Sequence, residues 1–496
     1  MSKIERYFRP VLVLIILIKL LMAYLMPITS DESYFYLWGQ FPALNYYDHP
    51  PLTGWIMALF GLLGHHIFFA RLFTLASGLL IALGIHRIVS HGFKAPDKAR
   101  LICLAFLVSP LHMLMVLITT DMPLMLFVFL SGAAFFFALQ RRSDWMMLLA
   151  GAFWGFAVLS KYFAGLLWIA FACALFLGKR RRPVRNLFLL TAGALPLLLL
   201  HLFANYQNCW TNILFNVINR NQQVTWKISG LLTFAAFQIY LATPWVLYYL
   251  IRNAKPVARE IKAHGNLFIW LLGVPVALLA VVSLHHTGLH WAISFYPFLF
   301  LLLVHLPARQ IKRIVVLSSV LSLLHVVPLL TLLSLPVETF KGLPYYHDLV
   351  LCKYGRQLYH EIETRFGPYD VLATNGYYTS AAMTYHSGEH VIVFLDDSKH
   401  GREDDKLTDF RTLDGKDILI LSTLPFEKDY APYFDTLQFH TLTLHGSIFH
   451  VVVGHHFRYA VYRNRFLKHI LKQWYAIPDF LPRGDCYFQR RYFEGP

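Results

Sequence analysis

The pattern of apolar and polar positions changes character near residue 335. Before it, apolar runs near 10–28, 66–88, 99–118, 123–140, 145–160, 162–178, 187–204, 229–251, 267–284, 292–307 and 314–335 alternate with short polar connections. Each run approaches the roughly 20 residues with which a helix crosses the hydrocarbon core, so residues 1–335 are expected to form a polytopic helical domain of about 11 transmembrane helices. Residues 336–496 return to globular patterning. Asp370-Val371-Leu372-Ala373, His390-Val391-Ile392-Val393-Phe394-Leu395, Asp417-Ile418-Leu419-Ile420-Leu421 and Ile448-Phe449-His450-Val451-Val452-Val453 read as strands, with a helix over 377–386. The expected fold is a polytopic α-helical membrane protein carrying a C-terminal soluble α/β domain.

Composition agrees: 57% of residues are hydrophobic and 15% charged, against about a quarter charged in soluble domains. The net charge of +16 suggests nucleic acid until it is divided by region. Residues 1–335 carry 26 Lys and Arg against 8 Asp and Glu, whereas residues 336–496 carry 18 against 20. The basic excess belongs to the apolar half and reports topology, so no nucleic-acid partner is expected. Six alternate connections are basic: Lys3/Arg6/Arg9, Arg87/Lys94/Lys98/Arg100, Arg141/Arg142, Lys179–Arg185, Arg252/Lys255/Arg259/Lys262 and Arg309/Lys312/Arg313. The positive-inside rule makes these cytoplasmic, with the N-terminus inside and the 336–496 domain on the periplasmic side of a bacterial inner membrane. Leu25-Met26-Pro27-Ile28 offers no small-residue cleavage pattern, so the first run is read as an anchor.

The few carboxylates of the apolar half then become informative. Glu5, Asp97, Asp144 and Glu260 sit in or beside basic connections, while Asp31, Glu32, Asp48 and Asp121 all fall on outward-facing ones. Ionised groups next to hydrocarbon are costly and tend to be functional. Lys161, Arg71, Arg220, Lys227, His49, His285, His286 and His290 join them on that face. Snorkelling is the alternative reading for Arg71 and Lys161. Lys19, in mid-span, has no evident partner and is assigned to snorkelling or packing inside the bundle.

The first outer loop is the densest segment, from Ser30-Asp31-Glu32-Ser33-Tyr34 to Asn45-Tyr46-Tyr47-Asp48-His49-Pro50-Pro51-Leu52. The two prolines end any helix and force extended backbone before them, presenting Asp48 and His49 on a rigid turn. Tyr34, Tyr46 and Tyr47 suit either sugar stacking or an interfacial aromatic belt.

These residues resemble a known superfamily. The Asp31-Glu32 pair, the Tyr46-Tyr47-Asp48-His49-Pro50-Pro51-Leu52 block, Phe69-Ala70-Arg71-Leu72, Thr120-Asp121-Met122-Pro123-Leu124 and Leu159-Ser160-Lys161-Tyr162 together look like the GT-C glycosyltransferases. The branch is the bacterial group similar to protein O-mannosyltransferases and the lipid A aminoarabinose transferase, whose architecture is also a multi-span domain followed by a periplasmic domain. The resemblance implies an inverting transfer of sugar from a polyprenyl-phosphate donor to lipid A, a cell-surface glycan or a protein. It implies Asp31 as general base, Glu32 orienting it and Asp121 in the catalytic set. Lys161, Arg71, His49 and Arg220 become candidates for the donor phosphate, and Tyr34, Tyr46, Tyr47 and Asp48 for substrate. This branch usually carries lysine after the acidic residue of the block, where this chain has His49, a weaker and pH-dependent cation. A divalent ion held by Asp48 and His290 is the alternative.

Other features receive structural readings. His285-His286-Thr287-Gly288-Leu289-His290-Trp291 reads as an interfacial turn anchored by Trp291, with carrier or metal binding as the alternative. Arg402-Glu403-Asp404-Asp405-Lys406 reads as a solvated loop. Cys103 and Cys173 are apolar fillers, and a Cys352–Cys486 disulfide is left open. The C-terminal domain, with no nucleophile elbow or phosphate-binding glycine loop, is expected to cap the site or choose the acceptor. A transporter or lipid flippase is the rival function. It would favour charged midplane sites within internal repeats, and neither pattern is evident.

Overall fold

The computed structural model describes residues 3–219, 226–264, 266–285, 288–398 and 403–494. The chain divides into two compact units. One comprises residues 1–26, 68–200 and 223–333, the other residues 27–67, 201–222 and 334–496. The segments at 27–67 and 201–222 thus cluster with the C-terminal residues.

In the first unit, helices long and apolar enough to cross a membrane occupy Phe8–Leu25, Ile67–Gly92, Asp121–Arg141, Pro183–Tyr206 and Ala308–Ser334. Shorter apolar helices lie at Asp144–Val158, Tyr162–Phe176, Phe268–Val282 and Ile293–His305. Two expected runs are broken where proline removes a backbone donor. The 99–118 run is a helix over Pro96–Leu107, after which Ser109 caps the single turn Pro110–Leu114. The 229–251 run bends by 90° between Ile228–Leu241 and Pro244–Arg252. Lys19 is buried, donating to the His112 carbonyl at 2.6 Å with the imidazole at 3.4 Å. It packs inside the bundle and does not snorkel.

The second unit holds a five-stranded sheet with β1 (Val371–Thr374), β2 (Ile392–Val393), β3 (Ile418–Ser422), β4 (Thr436–Leu444) and β5 (Ser447–His455), in the order β2-β1-β3-β5-β4. β1 is parallel to β2 and β3, while β5 is antiparallel to β3 and β4. Central β3 is buried on both faces, as its unbroken apolar run requires. Ile418 and Ile420 pack with Phe394, Tyr462 and the C-terminal helices. Leu419 and Leu421 pack with Val350, Leu358 and Ile362 of the Tyr346–Phe366 helix.

Cys486 forms a disulfide with Cys209, and Cys352 is free. The pairing raised from the sequence is therefore replaced. Burial pushes the Cys352 thiol up to about 12, as expected of an unreactive thiol. The solvated-loop reading of 402–406 is also overturned: Glu403, Asp404 and Asp405 are buried, while Arg402 lies outside the described residues. Asp404 accepts from His390, the Val393 amide and Thr408 at 2.9–3.0 Å, and Asp405 accepts from Tyr475 at 2.8 Å. These donors replace water around the carboxylates, which is what permits their burial.

Candidate active site

The membrane unit brings Asp121, Lys161 and His290 together. Asp121 opens the Asp121–Arg141 helix, where unpaired backbone amides favour a negative charge. Lys161 lies in extended backbone between the Asp144–Val158 helix and the turn Tyr162–Ala164. Its Nζ donates to both Asp121 carboxylate oxygens, at 2.9 and 3.1 Å. His290 Nε2 stands 3.7 Å from Asp121 Oδ2. Phe163 lies under the ammonium at 5.5 Å, and Trp291 packs on Phe163 at 4.8 Å. Trp291 is buried, so it is part of this wall and not an anchor at the headgroup level. The lysine side chain keeps 14% of its exposure. A cation so placed is oriented by its carboxylate and still reachable by an anionic ligand.

Arg71 is fully buried, and its Nη1 donates to the carbonyls of Ala23 and Met26 at 2.8 and 2.7 Å. It caps the end of the first helix, whose last carbonyls lack intrahelical partners. Arg220 and His286 lie outside the described residues.

The second unit gathers the first-loop residues. Thr29 caps the Ser30–Gln40 helix and Glu32 completes a capping box, its Oε2 accepting from the Thr29 amide and hydroxyl at 3.2 Å each. Glu32 is buried by this, while Asp31 beside it is exposed in the first turn. The Asn45–His49 block is fastened along its backbone. Lys406 Nζ donates to Asn45 O at 2.5 Å, Asn212 to Tyr46 O at 3.0 Å and Asn216 to Asp48 O at 2.8 Å, while the Tyr47 amide donates to Glu403 at 2.6 Å. Tyr46 stacks on Trp38 at 4.6 Å and Tyr47 packs against Phe215 and Tyr475, so both rings are buried. They belong to the scaffold of the turn.

Asp48 accepts from Tyr34 at 3.4 Å and has His49 Nδ1 3.3 Å away. Tyr34 meets Tyr377 edge-on at 5.1 Å. Burial, with Asp48 next in effect, pushes the Tyr34 hydroxyl well above its ordinary range, leaving it a neutral donor. Burial, then the charges of Asp31 and Asp48, pushes Tyr377 up to about 12. Both carboxylates therefore act on one phenol.

Among the described residues, no three His, Cys, Asp or Glu side chains gather as metal ligands. His290 is placed beside Asp121, and the Lys161 ammonium on that carboxylate would compete with a metal cation. No chemical step is assigned to a metal.

The architecture matches solved structures over nearly its whole length. ArnT from Cupriavidus metallidurans in the apo state superposes with a TM-score of 0.59 at 14% identity, covering 90% of this chain and 97% of that one. The chain shares the fold of that protein. The same protein solved with undecaprenyl phosphate matches equally well, at TM-score 0.59 and 14% identity over 89% of this chain and 97% of that one. The profile of the dolichyl-phosphate-mannose-protein mannosyltransferase family matches residues 48–204. Lipid A galacturonosyltransferase RgtD of Rhizobium johnstonii is 26% identical over 285 residues, 54% of this chain and 58% of that protein. The match thus spans a little over half of that relative's length.

Several positioning residues escaped the sequence reading. The Asn212-x-x-x-Asn216 spacing on one helical face was available as a signal. Tyr377, Glu403 and Lys406 lie more than 300 residues from the loop they touch, and nothing local marks them.

Proposed function

We propose that this GT-C chain transfers a sugar from a polyprenyl-phosphate donor to lipid A at the periplasmic face of the inner membrane, inverting the anomeric centre. The observation that carries the reading is Lys161, held by both Asp121 oxygens where apolar helices end. When the glycosyl bond breaks, its electron pair leaves on polyprenyl phosphate, and a fixed ammonium stabilises the dianion that develops. Asp121 orients Lys161, with His290 as a further donor toward the phosphate.

The acceptor hydroxyl attacks the anomeric carbon and passes its proton to Asp31, whose open position contrasts with the capped Glu32. A single displacement inverts the carbon. The choice of a lipid-phosphate donor and lipid A draws support from the relative solved with undecaprenyl phosphate and from the lipid A galacturonosyltransferase.

The test uses purified full-length protein in detergent, radiolabelled polyprenyl-phosphate uronic acid, amino sugar and hexose donors, and lipid A, with and without chelator. Label should pass to lipid A with release of polyprenyl phosphate, and Asp31→Asn should lower kcat by about 10²–10⁴-fold. An inserted, folded Asp31→Asn enzyme of full activity would remove that residue from its role. Donor release as free sugar would replace transfer by hydrolysis.

A further inference from the structure

A cavity of about 610 Å³ lies within the membrane unit at the opposite end from Asp121. The Asp121–Arg141 helix fixes the separation, because Asp121 opens it and Leu139 and Gln140, near its end, line the cavity. At about 1.5 Å per residue the two sites stand about 28 Å apart along the axis, close to the roughly 30 Å thickness of a hydrocarbon core. The cavity therefore opens at the other membrane face.

Its lining has two characters. Phe93, Phe136 and Leu267 make an apolar wall, while Lys94, Lys98, Arg180 and His305 contribute cationic or imidazole groups against the single carboxylate of Glu260 among the described lining residues. The polar groups are built in. Lys98 Nζ donates to Val304 O at 2.7 Å, Gln140 donates to Gly92 O at 3.0 Å, and Asn266 Nδ2 lies 2.9 Å from His305 Nε2. Lys94 is held at φ +55°, a conformation non-glycine residues seldom adopt. Gly92 lies against the Phe136 ring with no room for a Cβ, which fixes the loop on the wall.

We propose that this cavity binds the phosphate headgroup of an anionic phospholipid, with the Lys94, Lys98 and Arg180 cations on the phosphate and the first acyl carbons along Phe93 and Phe136. An apolar wall beneath a cationic rim, one bilayer thickness from the other face, is the arrangement that such a headgroup requires. A soluble phosphate would use the cations and leave the apolar wall without a partner. The site is independent of the transfer reaction, and its test reads bound lipid alone.

Purified full-length protein is equilibrated with phosphatidylglycerol or phosphatidylcholine, and bound lipid is counted by native mass spectrometry. The Lys94→Gln/Arg180→Gln variant keeps Lys98, which holds the Val304 carbonyl. It should retain at least tenfold less phosphatidylglycerol than the parent. Arg309→Gln/Lys312→Gln, on a separate basic surface, should retain the parental amount. Equal retention in the cavity variant, or an equal loss in the control, would overturn the proposal. Should the cavity variant not fold, the parent alone decides: phosphatidylglycerol should raise its Tm and phosphatidylcholine should not. Displacement of bound lipid by millimolar inorganic phosphate would identify a soluble anion site and overturn the lipid assignment.

Discussion

In the membrane unit Lys161 meets Asp121, Arg71 meets the final carbonyls of the first helix and Lys19 meets His112. In the second unit Glu403, Asp404 and Asp405 stand in sequence, buried, receiving the Tyr47 amide, the His390 imidazole and the Tyr475 hydroxyl from other segments of the chain. The first arrangement spends few charges, chiefly at helix ends, and each is conspicuous against an apolar background. The second embeds its charges in a web that looks like solvated surface in the sequence. The cost of an ion in hydrocarbon makes the former legible. Long-range satisfaction of buried polar groups makes the latter invisible to local pattern.

The largest stability effect should come from the covalent tie of the second unit. Cys209→Ser opens a link between positions 277 residues apart and should cost about 2–5 kcal/mol, read as a lowered denaturation midpoint. The strands and the Asp121–Lys161 pair should persist, so loss of donor binding in parallel with unfolding of the second unit would contradict the separation drawn here.

A pH effect follows from His386, which burial lowers to about 4. Its neutral form is favoured in the folded state, so its contribution is complete above pH 6.5 and is lost as pH falls toward 4. The change is about 3 kcal/mol by linkage. His386→Gln should flatten the stability profile over that window. An unchanged slope would place the acid sensitivity elsewhere.

Glu403→Ala leaves the Tyr47 amide without its acceptor and should cost about 1–3 kcal/mol. It should also loosen the Asn45–His49 turn, seen as faster amide exchange at Tyr47. Unaltered exchange would show that Asn212 and Asn216 suffice to hold the turn.

Much of the fold was legible. The apolar runs marked helices, of which five among the described residues are long and apolar enough to cross a membrane singly. In the sheet, β3 carried a continuous Ile and Leu run, while β1 and β5 held short apolar cores at Val371-Leu372 and Val451-Val452-Val453. β4 was missed because Thr436-Leu437-Gln438-Phe439-His440 is largely exposed and polar, the signature of an edge strand. Asp121 and Lys161, which the structure pairs, stood out in the sequence because charge is scarce in their surroundings. Tyr46 and Tyr47 were placed among substrate contacts because an aromatic residue in a loop looks alike whether it faces a ligand or Trp38. The Cys209–Cys486 pairing was hidden because Cys209 precedes the globular segment and is brought to it only by the tertiary fold.

The most direct measurement of the central claim is a double-mutant cycle between Asp121→Asn and Lys161→Gln, scored by donor kcat/KM in the reconstituted transfer reaction. If the carboxylate acts by orienting the lysine, Lys161→Gln should cost about 10²–10³-fold, and adding Asp121→Asn should cost little more. Multiplicative losses in the double variant would show that the two side chains act separately and would contradict the account of a carboxylate-held phosphate clamp.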